Sequence, residues 1–194
     1  AAAVEFADSV GVDVLNTSLG YYAFDDKSKN YKYRDLDGRH ALMSRQASHI
    51  ADKGMVLVCS AGNSGMGAWK KITPPGDAEN VVDGEGYQKQ AVLAPFSSIG
   101  NTADNRIKPD VVAVGEGADV IRTDGNQAKQ TDFFFFAHHV WNGGLFMAGM
   151  SPADREELIE LVRTSGDRAD YPDNIYGYGV PDMWKAYNSY KQKK

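Results

Sequence analysis

Apolar residues recur at helical spacing in 1–10, where Val4, Phe6, Ala7 and Val10 share a face, and again in 40–53, where Ala41, Leu42, Ala47 and Ile50 do so. Each segment runs into a glycine, Gly11 and Gly54, the residue that closes a helix in a left-handed conformation. After each helix the pattern changes. Residues 12–16 and 55–60 are short apolar or β-branched runs that read as strands. Helix–strand–helix–strand order, with strands apolar along their length, predicts a mostly parallel sheet covered by helices on both faces. Residues 107–115 give a further strand, with Pro109 near its start, where a missing N–H is tolerated. Another strand is due within 81–92, but Asp83-Gly84-Glu85-Gly86 is expected to break it. Ser151 and Pro152 open a helix as N-cap and first helical residue, with Leu158, Ile159 and Val162 as its buried face. A last helix runs from about Pro181 to Tyr190. Between these elements, 21–38 is a long polar surface loop. Its Asp35-Leu36-Asp37-Gly38 lacks the remaining ligands of a calcium loop and reads as a turn before the second helix.

Composition narrows this picture. The chain has 194 residues and no internal repeat or low-complexity linker, so 1–194 is taken as a single domain with a sizeable core. A net charge of -5 argues against nucleic acid as a partner, because phosphate binding needs a basic face. Lys191, Lys193 and Lys194 form a solvated basic end. The single cysteine, Cys59, excludes an internal disulfide framework and lies in an apolar run, as a buried structural thiol would. No apolar run is long enough to span a membrane, and no signal peptide opens the chain.

One stretch resists the pattern. Residues 132–149 contain four consecutive phenylalanines, Phe133 to Phe136, then His138-His139 and Gly143-Gly144. Adjacent histidines diverge on either a helix or a strand, which argues against a shared metal ion. The stretch holds no plausible nucleophile.

The candidate chemistry sits elsewhere, at the carboxyl ends of strands, where ligands of parallel sheets collect. Four segments, taken in order, resemble the subtilisin-like serine proteases. They are Val14-Leu15-Asn16-Thr17-Ser18-Leu19-Gly20; Val58-Cys59-Ser60-Ala61-Gly62-Asn63-Ser64-Gly65; Phe96-Ser97-Ser98-Ile99-Gly100 with Lys108-Pro109-Asp110-Val111-Val112-Ala113; and Gly177-Tyr178-Gly179-Val180-Pro181-Asp182. The resemblance implies a three-layer α/β fold, incomplete at the N-terminus, that acts on peptide or protein substrates in a secreted or periplasmic setting. It implies that Ser18, Leu19 and Gly20, with Ala61 and Gly62, bind an extended peptide by strand addition. It implies that Asn63 is the oxyanion-hole donor, whose amide stabilises charge growing on the substrate carbonyl oxygen. No cofactor is required, and the family allows a structural calcium ion without this sequence naming its ligands. A nucleotide-binding reading of Gly62-Asn63-Ser64-Gly65-Met66-Gly67 fails on glycine spacing.

The resemblance also says what is missing. The family's Asp and His motifs would precede Ala1, and neither Asp13 nor His40 stands in a matching context. The nucleophilic serine is expected where Phe133 stands. Read one nucleotide later, codons able to encode 132–149 also admit Thr-Ser-Phe-Ser-Ser-Pro-Ile-Met-Cys-Gly-Met-Ala-Ala-Cys-Leu-Trp-Gln-Ala, a serine-protease nucleophile motif and the helix it opens. Within that string Gly and Trp are forced by the unique codons of Trp141 and Met147. Two readings follow. One is a fragment of an endopeptidase domain, inactive alone because its nucleophile motif is lost. The alternative is a non-catalytic relative that binds peptides.

Overall fold

A computed structural model of the chain describes residues 2–79, 81–87, 92–116, 118–121, 123–130 and 155–194. The elements are α1 (Ala2–Ser9), β1 (Val14–Thr17), α2 (Leu42–Asp52), β2 (Val56–Ser60), β3 (Val82–Tyr87), β4 (Val111–Val114), β5 (Ala118–Ile121), β6 (Gln127–Gln130), α3 (Arg155–Ser165) and α4 (Met183–Lys193). Strands β1 to β4 form one parallel sheet in the order β1-β2-β3-β4, while β5 and β6 pair antiparallel.

The period-2 alternation of β2 separates two cores. Val56 and Val58 face one side, where they pack with Val82, Val111 and Ala113 against Leu158, Leu161 and Val162 of α3 and Ala186 and Tyr190 of α4. Leu57 and Cys59 face the other, against Ala47 and Ile50 of α2, with Val4 of α1 at the margin. The sheet is therefore sandwiched by α1 and α2 on one face and α3 and α4 on the other, the three-layer α/β architecture expected. Cys59 is fully buried, so its thiol is core. Gly11 and Gly54 adopt the left-handed conformation in which they follow their helices, at φ 77° and 89°. No helix among the described residues is long and apolar enough to cross a membrane.

Three expectations change. The expected interruption at Asp83-Gly84-Glu85-Gly86 is a continuous strand, β3, bonded to β2 on one side and β4 on the other. Glycine weakens a strand by entropy and lost packing, but two flanking ladders fix its backbone regardless. The strand at 107–115 is shorter. It begins at Val111, and the residues before it carry a buried ion pair: Lys108 Nζ lies 2.7 Å from Asp110 Oδ2, and Arg163 Nη2 lies 2.5 Å from Asp110 Oδ1. The last helix starts at Met183 behind an Asp182 N-cap, whose carboxylate accepts from the N–H groups of Trp184 and Lys185, and it runs on to Lys193. The helix start at Ser151-Pro152 and the His138-His139 pair lie outside the described residues.

Candidate functional site

Because β1, β2 and β4 are parallel, their carboxyl ends emerge on one edge of the sheet. The segments that follow them line a single cleft of about 350 Å³. Ser18, Leu19 and Gly20 form the wall after β1, and Gly62, Asn63 and Ser64 the wall after β2. Gly115, just past β4, and Phe96 complete the lining there, while Tyr21 and Tyr22 extend the β1 wall into the long loop. Among the described residues no charged side chain lines the cleft. Five of the seven residues singled out from sequence thus meet at one place. Ala61 lies behind the wall: it is fully buried, and its carbonyl accepts from Thr73 N–H at 2.8 Å. It supports the cleft from beneath. The position of the expected nucleophile, Phe133, lies outside the described residues.

Thr73 closes the base between the two walls and went unnoticed in the sequence, where it reads as an ordinary loop residue before Pro74-Pro75. A Cβ placed on Gly20 would sit 2.1 Å from Thr73 Oγ1, and one on Gly62 would sit 2.8 Å from the same atom. Both glycines are therefore demanded by close approach. Gly62 adds φ 120°, which side chains rarely adopt. The β1 wall is tied down by Tyr21 N–H donating to Pro74 O at 3.1 Å.

The turn that carries Asn63 is held on several sides. Gly62 N–H donates to Ser60 Oγ at 3.2 Å and Gly65 N–H to Phe96 O at 2.9 Å. Ser98, fully buried, donates its N–H to Gly62 O and accepts from Ser64 N–H at Oγ. Asn63 itself is exposed on the crest of this turn. An exposed amide on a braced turn can donate to an anionic or carbonyl oxygen in the cleft.

Behind the β2 wall, the segment after the cis Pro74–Pro75 bond carries Asp77. Its carboxylate accepts from Ser44 Oγ at 2.5 Å and from Gly38 N–H at 2.9 Å. Burial pushes its pKa above the usual carboxylate range, and these bonds together with the Arg106 charge pull back only in part. The Asp35-Leu36-Asp37-Gly38 segment is a turn: Asp37 Oδ1 accepts from the N–H groups of Arg39 and His40. Among the described residues no three acidic, imidazole or thiol groups converge as a metal site would require, so no residue is assigned to calcium.

The family model described as Subtilase family matches residues 1–140. Solved structures with a similar fold include the self-cleaved protease domain of PatA, at TM-score 0.72 and 17% identity, covering 98% of this chain and 66% of that chain. The Prenylagaramide maturation protease PagA matches at TM-score 0.68 and 17% identity, over 96% of this chain and 65% of that one. The epidermin leader peptide processing serine protease EpiP from Staphylococcus aureus matches at TM-score 0.69 and 19% identity, over 99% and 54%. At these identities the likeness is one of fold. The chain spans about two-thirds of the length of the first two structures and about half of the third.

Proposed function

Since the chain belongs to the subtilase family, we propose that it is the C-terminal part of a subtilisin-like serine endopeptidase domain, whose intact parent hydrolyses peptide bonds. The observation that carries this reading is the convergence of Ser18-Leu19-Gly20 and Gly62-Asn63 on one cleft at the carboxyl edge of the sheet. An extended peptide lies along Ser18–Gly20 by main-chain pairing and places its scissile carbonyl beside Asn63. The Asn63 amide then donates to the oxygen on which negative charge grows. Removing one such donor costs about a hundredfold to a thousandfold in kcat, a magnitude whose reference case is itself a subtilisin. The attacking serine belongs where Phe133 stands, and the Asp and His that activate it belong to chain preceding Ala1. Without an adjacent base and nucleophile, the 194-residue chain does not hydrolyse peptides.

A second reading has one observation in its favour: the cleft is formed although 131–149 contains no serine. On that reading the protein binds peptides without cutting them. A serine-directed fluorophosphonate separates the two. Labelling of the intact parent but not of this chain supports the protease reading. Labelling of neither supports the binding module. Labelling of this chain contradicts the loss of the nucleophile. Sequencing the encoding DNA decides the origin of 132–149, since codons that do not spell the serine motif one base later sink the shifted-frame account.

A further inference from the structure

A side-chain donor lowers a barrier only if it is aimed before the reaction begins. The direction of an Asn Cα–Cβ bond is set by the two peptide groups that flank the residue. For Asn63 these carry the Gly62 carbonyl on one side and the Ser64 N–H on the other. Ser98 takes hold of both. Its N–H donates to Gly62 O at 3.2 Å, and its Oγ accepts from Ser64 N–H at 3.0 Å. We propose that Ser98 is the positioning residue that aims Asn63 into the cleft.

Several features suit Ser98 to this role. It is fully buried, so its hydroxyl is kept out of water at a cost that the Ser64 bond offsets. Its own backbone is fixed on both sides, by Ser97 N–H donating to Ala94 O and Ile99 N–H to Lys70 O, each at 2.9 Å. Gly62 makes room for it: a Cβ there would stand 2.8 Å from Ser98 Oγ. Any residue at 98 would supply the main-chain bond to Gly62 O. Only a short side chain with an acceptor oxygen supplies the bond to Ser64. Asn63 itself stays exposed on the turn and open to a ligand. The proposal rests on Asn63 donating to the reacting carbonyl oxygen.

The test has two arms. In the 194-residue chain, Ser98→Ala speeds hydrogen exchange of the Ser64 amide at least about tenfold while Val56–Ser60 keep their protection. The Asn63 Hα–Hβ couplings move from those of one rotamer to averaged values. An unchanged Ser64 exchange rate or unchanged couplings overturn the proposal. In the intact protease with its serine in frame, Ser98→Ala lowers kcat about tenfold with KM within about twofold. In an Asn63→Ala background the same change has little further effect, because the residue it aims is gone. An equal loss in both backgrounds overturns the proposal while leaving the oxyanion role of Asn63 intact. Unchanged kcat in Asn63→Ala alone overturns that role instead, and the exchange arm still reports whether Ser98 holds the turn.

Discussion

Asp77 binds three parts of the molecule through one carboxyl group: the end of the long loop at Gly38, helix α2 at Ser44 and its own loop beneath the cleft. Arg106 reinforces the same junction, donating to the carbonyls of Asp77 at 2.8 Å and Ala78 at 3.3 Å. Burial raises the carboxyl's folded pKa above its unfolded value, so folding favours the protonated form. Its contribution is therefore fully present below the unfolded pKa and is lost as pH rises through the folded one. Asp77→Asn keeps an acceptor for Gly38 N–H and adds a donor toward Ser44, without a charge to bury. Thermal unfolding followed from pH 4 to pH 8 is expected to show the wild type losing stability relative to Asp77→Asn as pH increases. A wild type that gains stability relative to Asp77→Asn as pH rises contradicts the assignment.

At the level of elements, the approach to β4 depends on a buried cluster. Asp110 is fully buried between Lys108 Nζ and the Arg163 guanidinium of α3, and its main-chain oxygen accepts from Tyr178 N–H at 2.8 Å. Asp110→Ala removes the counter-charge of a buried lysine, and unfolding in urea is expected to show a loss of about 3–5 kcal/mol. For α4, Asp182→Ala removes an N-cap that accepts two N–H groups, with an expected cost of about 1 kcal/mol in the same assay. These elements also show how far a sequence carries. The face of α3 was legible because burial imposes a period of 3.6 on Leu158, Ile159 and Val162. Those of α1 and α2 were legible only in part: Ala7, Ala47 and Ile50 are buried, but Phe6, Val10 and Leu42, read as members of the same faces, are 68%, 59% and 57% exposed. The ends of β1 and β2 were legible because Ser18-Leu19-Gly20 and Gly62-Asn63 mark a close backbone approach. Strand β3 was not, since its fold comes from ladders on both sides and its Asp-Gly-Glu-Gly core has no strand preference of its own. Nor were Thr73 and Ser98: both act across the chain, on residues 11 or more positions away, and a lone Thr or Ser carries no local sign of that.

The molecule as a whole is a sheet with helices on both faces and a cleft at the carboxyl ends of β1, β2 and β4. Its lateral edge is a separate matter. Among the described residues β1 pairs only with β2, so its far side is an edge without a ladder partner among them. Sedimentation velocity on the isolated chain is expected to show mass rising with concentration, and a lysine at the exposed Asn16 is expected to suppress that rise. A constant monomer mass at all concentrations would refute it. The contact of Thr73 with Gly20 has a consequence of another kind, for the order in which such a sequence can drift. While Thr73 is present, Gly20→Ala forces a methyl onto its hydroxyl and is expected to cost about 1–3 kcal/mol. After Thr73→Gly, the same change keeps only an ordinary contact with Pro74 O at 3.8 Å, and most of that cost disappears. Alanine at position 20 is therefore tolerated better once position 73 has changed, so the residue at the base of the cleft conditions what one of its walls can become.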